Sequence, residues 1–178
     1  MATHGNAEVR GDERGTLLIC LAGQRGAIRR AVLGLSDEQA ATTPSASALS
    51  LSGLIKHVAE TEQGWVARAR QVAPDTQRTE ANWADSFRLV GDESVESALA
   101  YWDKVALATE EFIRSVPSLD DTFPLPRHDW APHEGEASMR WMLLHLIREA
   151  ARHAGHADII RESLDGKTAY ELVAMAQE

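Results

Sequence analysis

From Ser138 to Gly166 the chain carries one long helical pattern, and this stretch constrains the fold more than any other. Ser138 is a good N-cap and Asp165-Gly166 a good stop, while Leu143, Leu146, Ala150, Ala157 and Leu164 recur on one arc at helical spacing. Such a stripe has to be buried against other helices. The neighbouring arc is less ordinary. At about 100° per residue, His145, Glu149, His153 and His156 fall within roughly 80° of one another. A helix that has only to pack does not usually border its apolar stripe with a row of metal-capable groups.

The partners for that stripe are legible upstream. Leu17, Leu18, Leu21, Ile28, Val32 and Leu35 predict a helix from about Gly11 to Gly34, with Arg25 inside the apolar stripe. A short capped turn of helix follows at Leu35 to Ala40. A second long helix is expected from Ser50 or Ser52 to Val72, where Pro74 would end it. Its apolar face takes in Leu51, Leu54, Ile55, Val58, Trp65, Val66, Ala69 and Val72, with His57 at one edge and Glu62 well inside. Residues 74–93 read as a polar connection, and a third helix runs from Ser94 to before Pro117. The proline-bearing stretch from Pro117 to Gly135 reads as irregular, and Thr168 caps a short last helix through Ala176. With no period-2 strands, the expected class is all-α: a four-helix bundle with long connections and a short C-terminal helix. Residues 1–10 read as a flexible tail, and 11–178 as a single domain.

Net charge narrows the functions open to this bundle. At −9 it argues against phosphate-backbone recognition and against an anionic membrane surface, so neither nucleic acid nor membrane is an expected partner. No apolar run approaches the roughly 18–20 residues that span a bilayer. The single cysteine, Cys20, excludes an internal disulfide framework and fits a reducing cytoplasm; it reads as a buried, inert thiol.

Glutamate at i and histidine at i+4 place two donors one turn apart, about 6 Å between β-carbons, a usable bite for one divalent metal. A third donor must come from another element, and His57 is the natural one. With His57, Glu149 and His153 the set suits zinc, with nickel or iron as alternatives. Three protein ligands leave a position open, as catalytic zinc sites do. One carboxylate against a divalent cation leaves a net charge of +1, which favours hydroxide or thiolate there. Spacing alone does not choose among the four candidates on the last long helix. His145 lies farthest from the apolar side and reads as surface.

The stretches Leu51-Ser52-Gly53-Leu54-Ile55-Lys56-His57 to Trp65 and Ser138-Met139-Arg140-Trp141 through Glu149, His153 and His156 to Gly166 resemble the DinB-like superfamily of metal-binding four-helix bundles. The chain is most similar to the mini-circle-type branch, which is related to mycothiol-dependent maleylpyruvate isomerase. Most of that superfamily uses three histidines. Here Glu149 replaces one, as in the isomerase branch, where histidine, glutamate and histidine hold zinc. The resemblance implies His57, Glu149 and His153 as ligands and a small thiol such as mycothiol or bacillithiol as cosubstrate. It implies a zinc-bound thiolate attacking a small electrophile, and a homodimer. The isomerase carries an additional C-terminal domain, whereas this sequence ends soon after its fourth long helix, so maleylpyruvate itself is not the expected substrate. A metal-activated hydrolase and a non-catalytic metal- or ligand-binding dimeric bundle are the alternatives.

Other residues bear on the site. His156 is an alternate ligand or a neighbour of one. Arg148 and Arg152 flank the proposed ligands and are positioned to hold a carboxylate, against the simpler reading of a solvated face. Glu60 is turned away from the apolar face. Arg25 and Glu62, each inside an apolar stripe, are expected to pair, or Glu62 to orient a polar group of the site. Trp65 and Trp141 are the tryptophans nearest the two motifs.

Overall fold

A computed structural model describes residues 11–125 and 135–177; the expected tail at residues 1–10 lies outside the described residues. Helix α1 (Glu13–Arg30) begins where the Asp12 carboxylate accepts the Gly15 N–H at 2.7 Å, and a turn through Gly34 follows it. A single capped turn, α2 (Asp37–Ala40), carries a reciprocal Ser36–Gln39 box. Helix α3 (Leu51–Ala69) starts on Ser50. Its end is earlier than proline placement predicts. Gln71 enters the left-handed region at φ 58°, and the Val72 N–H returns to the Ala67 carbonyl at 2.9 Å. Val72 is thereby half exposed instead of part of the apolar face.

The connection after α3 contains a 3₁₀ segment, Glu80–Phe87. Helix α4 (Val95–Ser115) is capped by Ser94. The stretch read as irregular is partly paired: β1 (Thr122–Leu125) and β2 (Gly135–Ser138) form an antiparallel ladder in which Phe123 faces Ala137. Both of these residues are buried, so the ladder closes one end of the core. Helix α5 (Met139–Asp165) follows β2 directly. Ser138 caps it, and its first N–H groups donate to the carbonyls of Asp121 and Leu119. Gly166, at φ 79°, stops it. Thr168 caps the short α6 (Ala169–Met175).

Helix α1 packs chiefly on α5, and α3 on α4, with α3 also against α5. Leu21, Ile28, Leu54, Ile55, Trp102, Ile113, Met142, Leu143 and Ile160 fill the space between them and are almost wholly buried. The architecture is the expected helical bundle, with a two-stranded ladder added. No helix among the described residues is long and apolar enough to cross a membrane.

Two buried ionic groups hold the helices in register. Glu62 is 2% exposed and accepts from Arg25 Nε (3.0 Å) and Nη2 (2.5 Å) on α1. From α4 it accepts Trp102 Nε1–H (3.1 Å) and the Thr109 hydroxyl (2.6 Å). The expected Arg25–Glu62 pair is therefore formed, and it ties α1, α3 and α4 together. Arg161 on α5 donates to the carbonyls of Ala31 and Leu33 at the end of α1 and to Asp165. Cys20, by contrast, is exposed. It lies about 200° around α1 from the buried Leu18, so the reading of a buried thiol is corrected.

Candidate metal centre

His57 reaches the centre from α3, and Glu149 and His153 from successive turns of α5. Each of the three offers one donor atom, and these atoms all lie within 4.8 Å of one another. The long helix supplies the i,i+4 bite; packing of α3 on α5 supplies the third donor. His57 and His153 are buried, and Glu149 is 22% exposed on its side chain.

The contacts of the His57 ring are aromatic. It stacks on Phe87 of the 3₁₀ segment, centroids 4.1 Å apart, and meets the His153 ring edge-on at 5.0 Å. Phe87 can sit so close because Gly53 has no side chain: a β-carbon there would fall 2.0 Å from the Phe87 carbonyl oxygen. Burial pushes the His57 imidazole down from 6.5 to about 4; charge on His153 acts in the same direction, and Glu149 opposes both. Burial likewise lowers His153, again opposed by Glu149. Both rings are therefore neutral near pH 7 and keep a lone pair to give.

His153 Nε2 faces Glu149 Oε1 at 3.4 Å, and its Nδ1 lies 3.3 Å from His156 Nδ1. Two imidazoles and a carboxylate with no tight mutual hydrogen bond are donors held together without being consumed by one another. That chemistry fits a divalent cation of the zinc class. His156 lies on the Nδ1 side of His153, which leaves Nε2 as the nitrogen facing Glu149.

Other residues singled out from the sequence are placed differently. His145 is half-buried, not on the surface: it stacks on Trp141 (5.1 Å) and meets Trp65 (4.6 Å), and burial lowers its pKa. The indole that covers it comes from another helix, so angular position on α5 alone is no guide. Arg148 is exposed and donates to His145 Nδ1 at 3.0 Å, and Arg152 is exposed. Glu62 is engaged by α1 and α4, as described, and does not reach the centre.

Beside His57 opens a cavity of about 610 Å³. One face of α3, made by His57, Glu60, Thr61, Gly64, Trp65 and Arg68, forms one wall; residues 72–86 form the other, with Arg78 and Trp83. Glu60 is turned toward this cavity and is held by Arg78 through two hydrogen bonds, one of them 2.8 Å. Sequence reasoning set Glu60 aside and did not consider Arg68 or Arg78. The signal available was spacing: Glu60, Thr61, Gly64, Trp65 and Arg68 continue the face that His57 begins. What the sequence did not display was that the connection after α3 folds back to make the second wall.

Residues 16–166 match the model of a family described as mycothiol-S-transferase. Among solved structures, a conserved protein from Enterococcus faecalis is similar over 88% of this chain and 99% of its own, with a TM-score of 0.69 at 15% identity. That likeness speaks to the fold. No curated protein matches the chain. The family match spans all four long helices and both helices that bring His57, Glu149 and His153 together, and by it the chain belongs to the mycothiol-S-transferase family.

Proposed function

We propose that this protein is a metal-dependent thiol S-transferase, with a divalent metal, zinc first among candidates, on His57, Glu149 and His153. The observation that carries the reading is the convergence of three uncommitted donors from two helices, one of which, His57, also lines a large cavity. Family membership supports a low-molecular-weight thiol of the mycothiol kind as one substrate and a small electrophile as the other.

The chain's own residues have distinct tasks in this reading. Phe87 and the burial of α3 hold the His57 ring fixed and neutral. Glu149 contributes the one negative charge of the set, leaving a divalent site with an excess positive charge that suits an anionic sulfur. His156 occupies the Nδ1 side of His153, so Nε2 is the nitrogen directed at Glu149 and the centre. The cavity along α3 offers room for the second substrate beside His57. A divalent metal held by His57, Glu149 and His153 would supply Lewis-acid chemistry that lowers the pKa of a thiol toward neutral pH.

Elemental analysis of the purified protein beside a His153→Ala variant tests this directly. The expected result is on the order of one zinc-class metal per chain in the first and background in the second. Turnover of a thiol-reactive electrophile should require both the metal and added thiol. Equal metal in both proteins removes the basis of the reading, and turnover without thiol would favour hydrolysis.

A further inference from the structure

The cavity wall contains a charge that no other described residue neutralises. Arg68 is half-buried, its guanidinium carbon lies 4.6 Å from the centroid of the Trp65 ring, and it has no ion-pair partner among the described residues. The neighbouring cation, Arg78, is different: Glu60 engages it on two nitrogens, and the Asn82 carbonyl takes a third hydrogen bond at 3.2 Å. In a chain of net charge −9, a half-buried arginine left without a carboxylate is conspicuous. Stacking on Trp65 holds the guanidinium plane and leaves its N–H edge available to a ligand.

Trp83 adds a second, independent observation. It is 56% exposed, yet it belongs to the wall of the same cavity, opposite α3. An indole left this open in a cavity is a surface for a flat apolar group.

We infer that Arg68 is the residue that selects the ligand of this cavity, binding the carboxylate of a small molecule whose apolar body lies against Trp83. The inference takes the cavity as the substrate pocket of the S-transferase reading and names the substrate class. A singly charged group fits better than a phosphate dianion, because Glu60 stands in the same wall and Arg78 is already neutralised by it. At 1.5 Å per residue, His57 and Arg68 are about 16 Å apart along α3 and differ in direction by only about 20°. The carboxylate therefore sits at the end of the ligand remote from the donor cluster, and the ligand is elongated along α3.

The test is direct binding, read by quenching of tryptophan fluorescence and by calorimetry. The probes are 4-phenylbutyrate and its uncharged amide, offered to the purified protein, to Arg68→Gln, to Arg68→Lys and to His153→Ala. The expected result is an acid preference of about tenfold over the amide in the wild type. Arg68→Gln should abolish that preference, while Arg68→Lys keeps part of it and His153→Ala keeps all of it. Equal binding of acid and amide in the wild type overturns the assignment. So does an acid preference that survives in Arg68→Gln or is lost in His153→Ala, since the carboxylate would then sit at the donor cluster. Arg68 lies in the cavity wall and not in the core, and unchanged far-UV circular dichroism checks that its variants fold. Because binding is read without turnover, failure of the metal reading leaves this result interpretable.

Discussion

Two glutamates of this bundle face opposite fates. Glu62 accepts four hydrogen bonds from three residues and is 2% exposed; Glu149 has one 3.4 Å approach to a histidine and keeps 22% of its side chain in solvent. The first cluster is closed: every lone pair that matters has a donor, and the cost of burying charge is offset by geometry. The second is open, with good donors assembled and left underused beside a cavity. A buried polar group is thus not in itself a functional sign. The sign is a buried or half-buried set whose bonding capacity the fold itself does not use up.

The largest test of this contrast is truncation of each glutamate. Glu62→Ala leaves Arg25 buried without its partner and should cost about 3–5 kcal/mol. For a chain of this size that is a fall in Tm of roughly 10 °C, measured by thermal denaturation. Glu149→Ala in the chelated protein should cost less than about 1 kcal/mol. Similar losses for the two would break the distinction.

Acid should act next most strongly, and through the open cluster. In the metal-free chain the His57 pKa is pushed down from 6.5 to about 4, so the unfolded state binds the proton more readily. The stability contributed by neutral His57 is whole above pH 6.5 and is lost as pH falls toward 4, an effect of about 3 kcal/mol. Burial moves His153 in the same direction and adds to it. Urea midpoints between pH 7.5 and 4.5 measure the loss, and a His57→Gln variant should flatten it. An equal slope in both proteins would place the acid sensitivity elsewhere.

The smallest effect sharpens the open side further. Gly53→Ala puts a β-carbon 2.0 Å from the Phe87 carbonyl oxygen, and the backbone must give way. A cost of about 1–3 kcal/mol is expected, with faster modification of His57 by an imidazole-reactive reagent as Phe87 lifts. Loss of stability with unchanged His57 reactivity would separate the packing role of Gly53 from its role at the site.

Much of this was readable before any coordinates. Ser50, Ser94, Ser138 and Thr168 cap helices where a serine or threonine precedes an apolar period, and Gly166 stops α5. Arg25 and Glu62 betrayed their pairing by standing inside apolar stripes. The donor set needed more, since spacing on α5 offered four candidates and the resemblance chose two of them. What stayed hidden depends on contacts between elements. The β1–β2 ladder joins four-residue strands on either side of a proline-bearing segment, too short and too interrupted to show a period. His145 is covered by Trp65 from α3, and Arg161 is buried because the end of α1 offers it two carbonyls.

Arg161 has a consequence for how the molecule can move. It fixes the last turns of α5 to the end of α1, and the residue is 1% exposed, so α5 cannot slide or turn about its axis without breaking these hydrogen bonds. A rotation by one residue, about 100°, would carry Glu149 and His153 away from His57. The wall made by residues 72–86 is tied to the helices by a part-buried pair, Arg78 to Glu60, and by two exposed hydrogen bonds, the Asp75 N–H to Gln63 Oε1 at 3.1 Å and the Tyr101 hydroxyl to Asp75. The exposed share of those bonds is easier to exchange with solvent than the two carbonyl bonds of Arg161, so α5 is the stationary reference of the site.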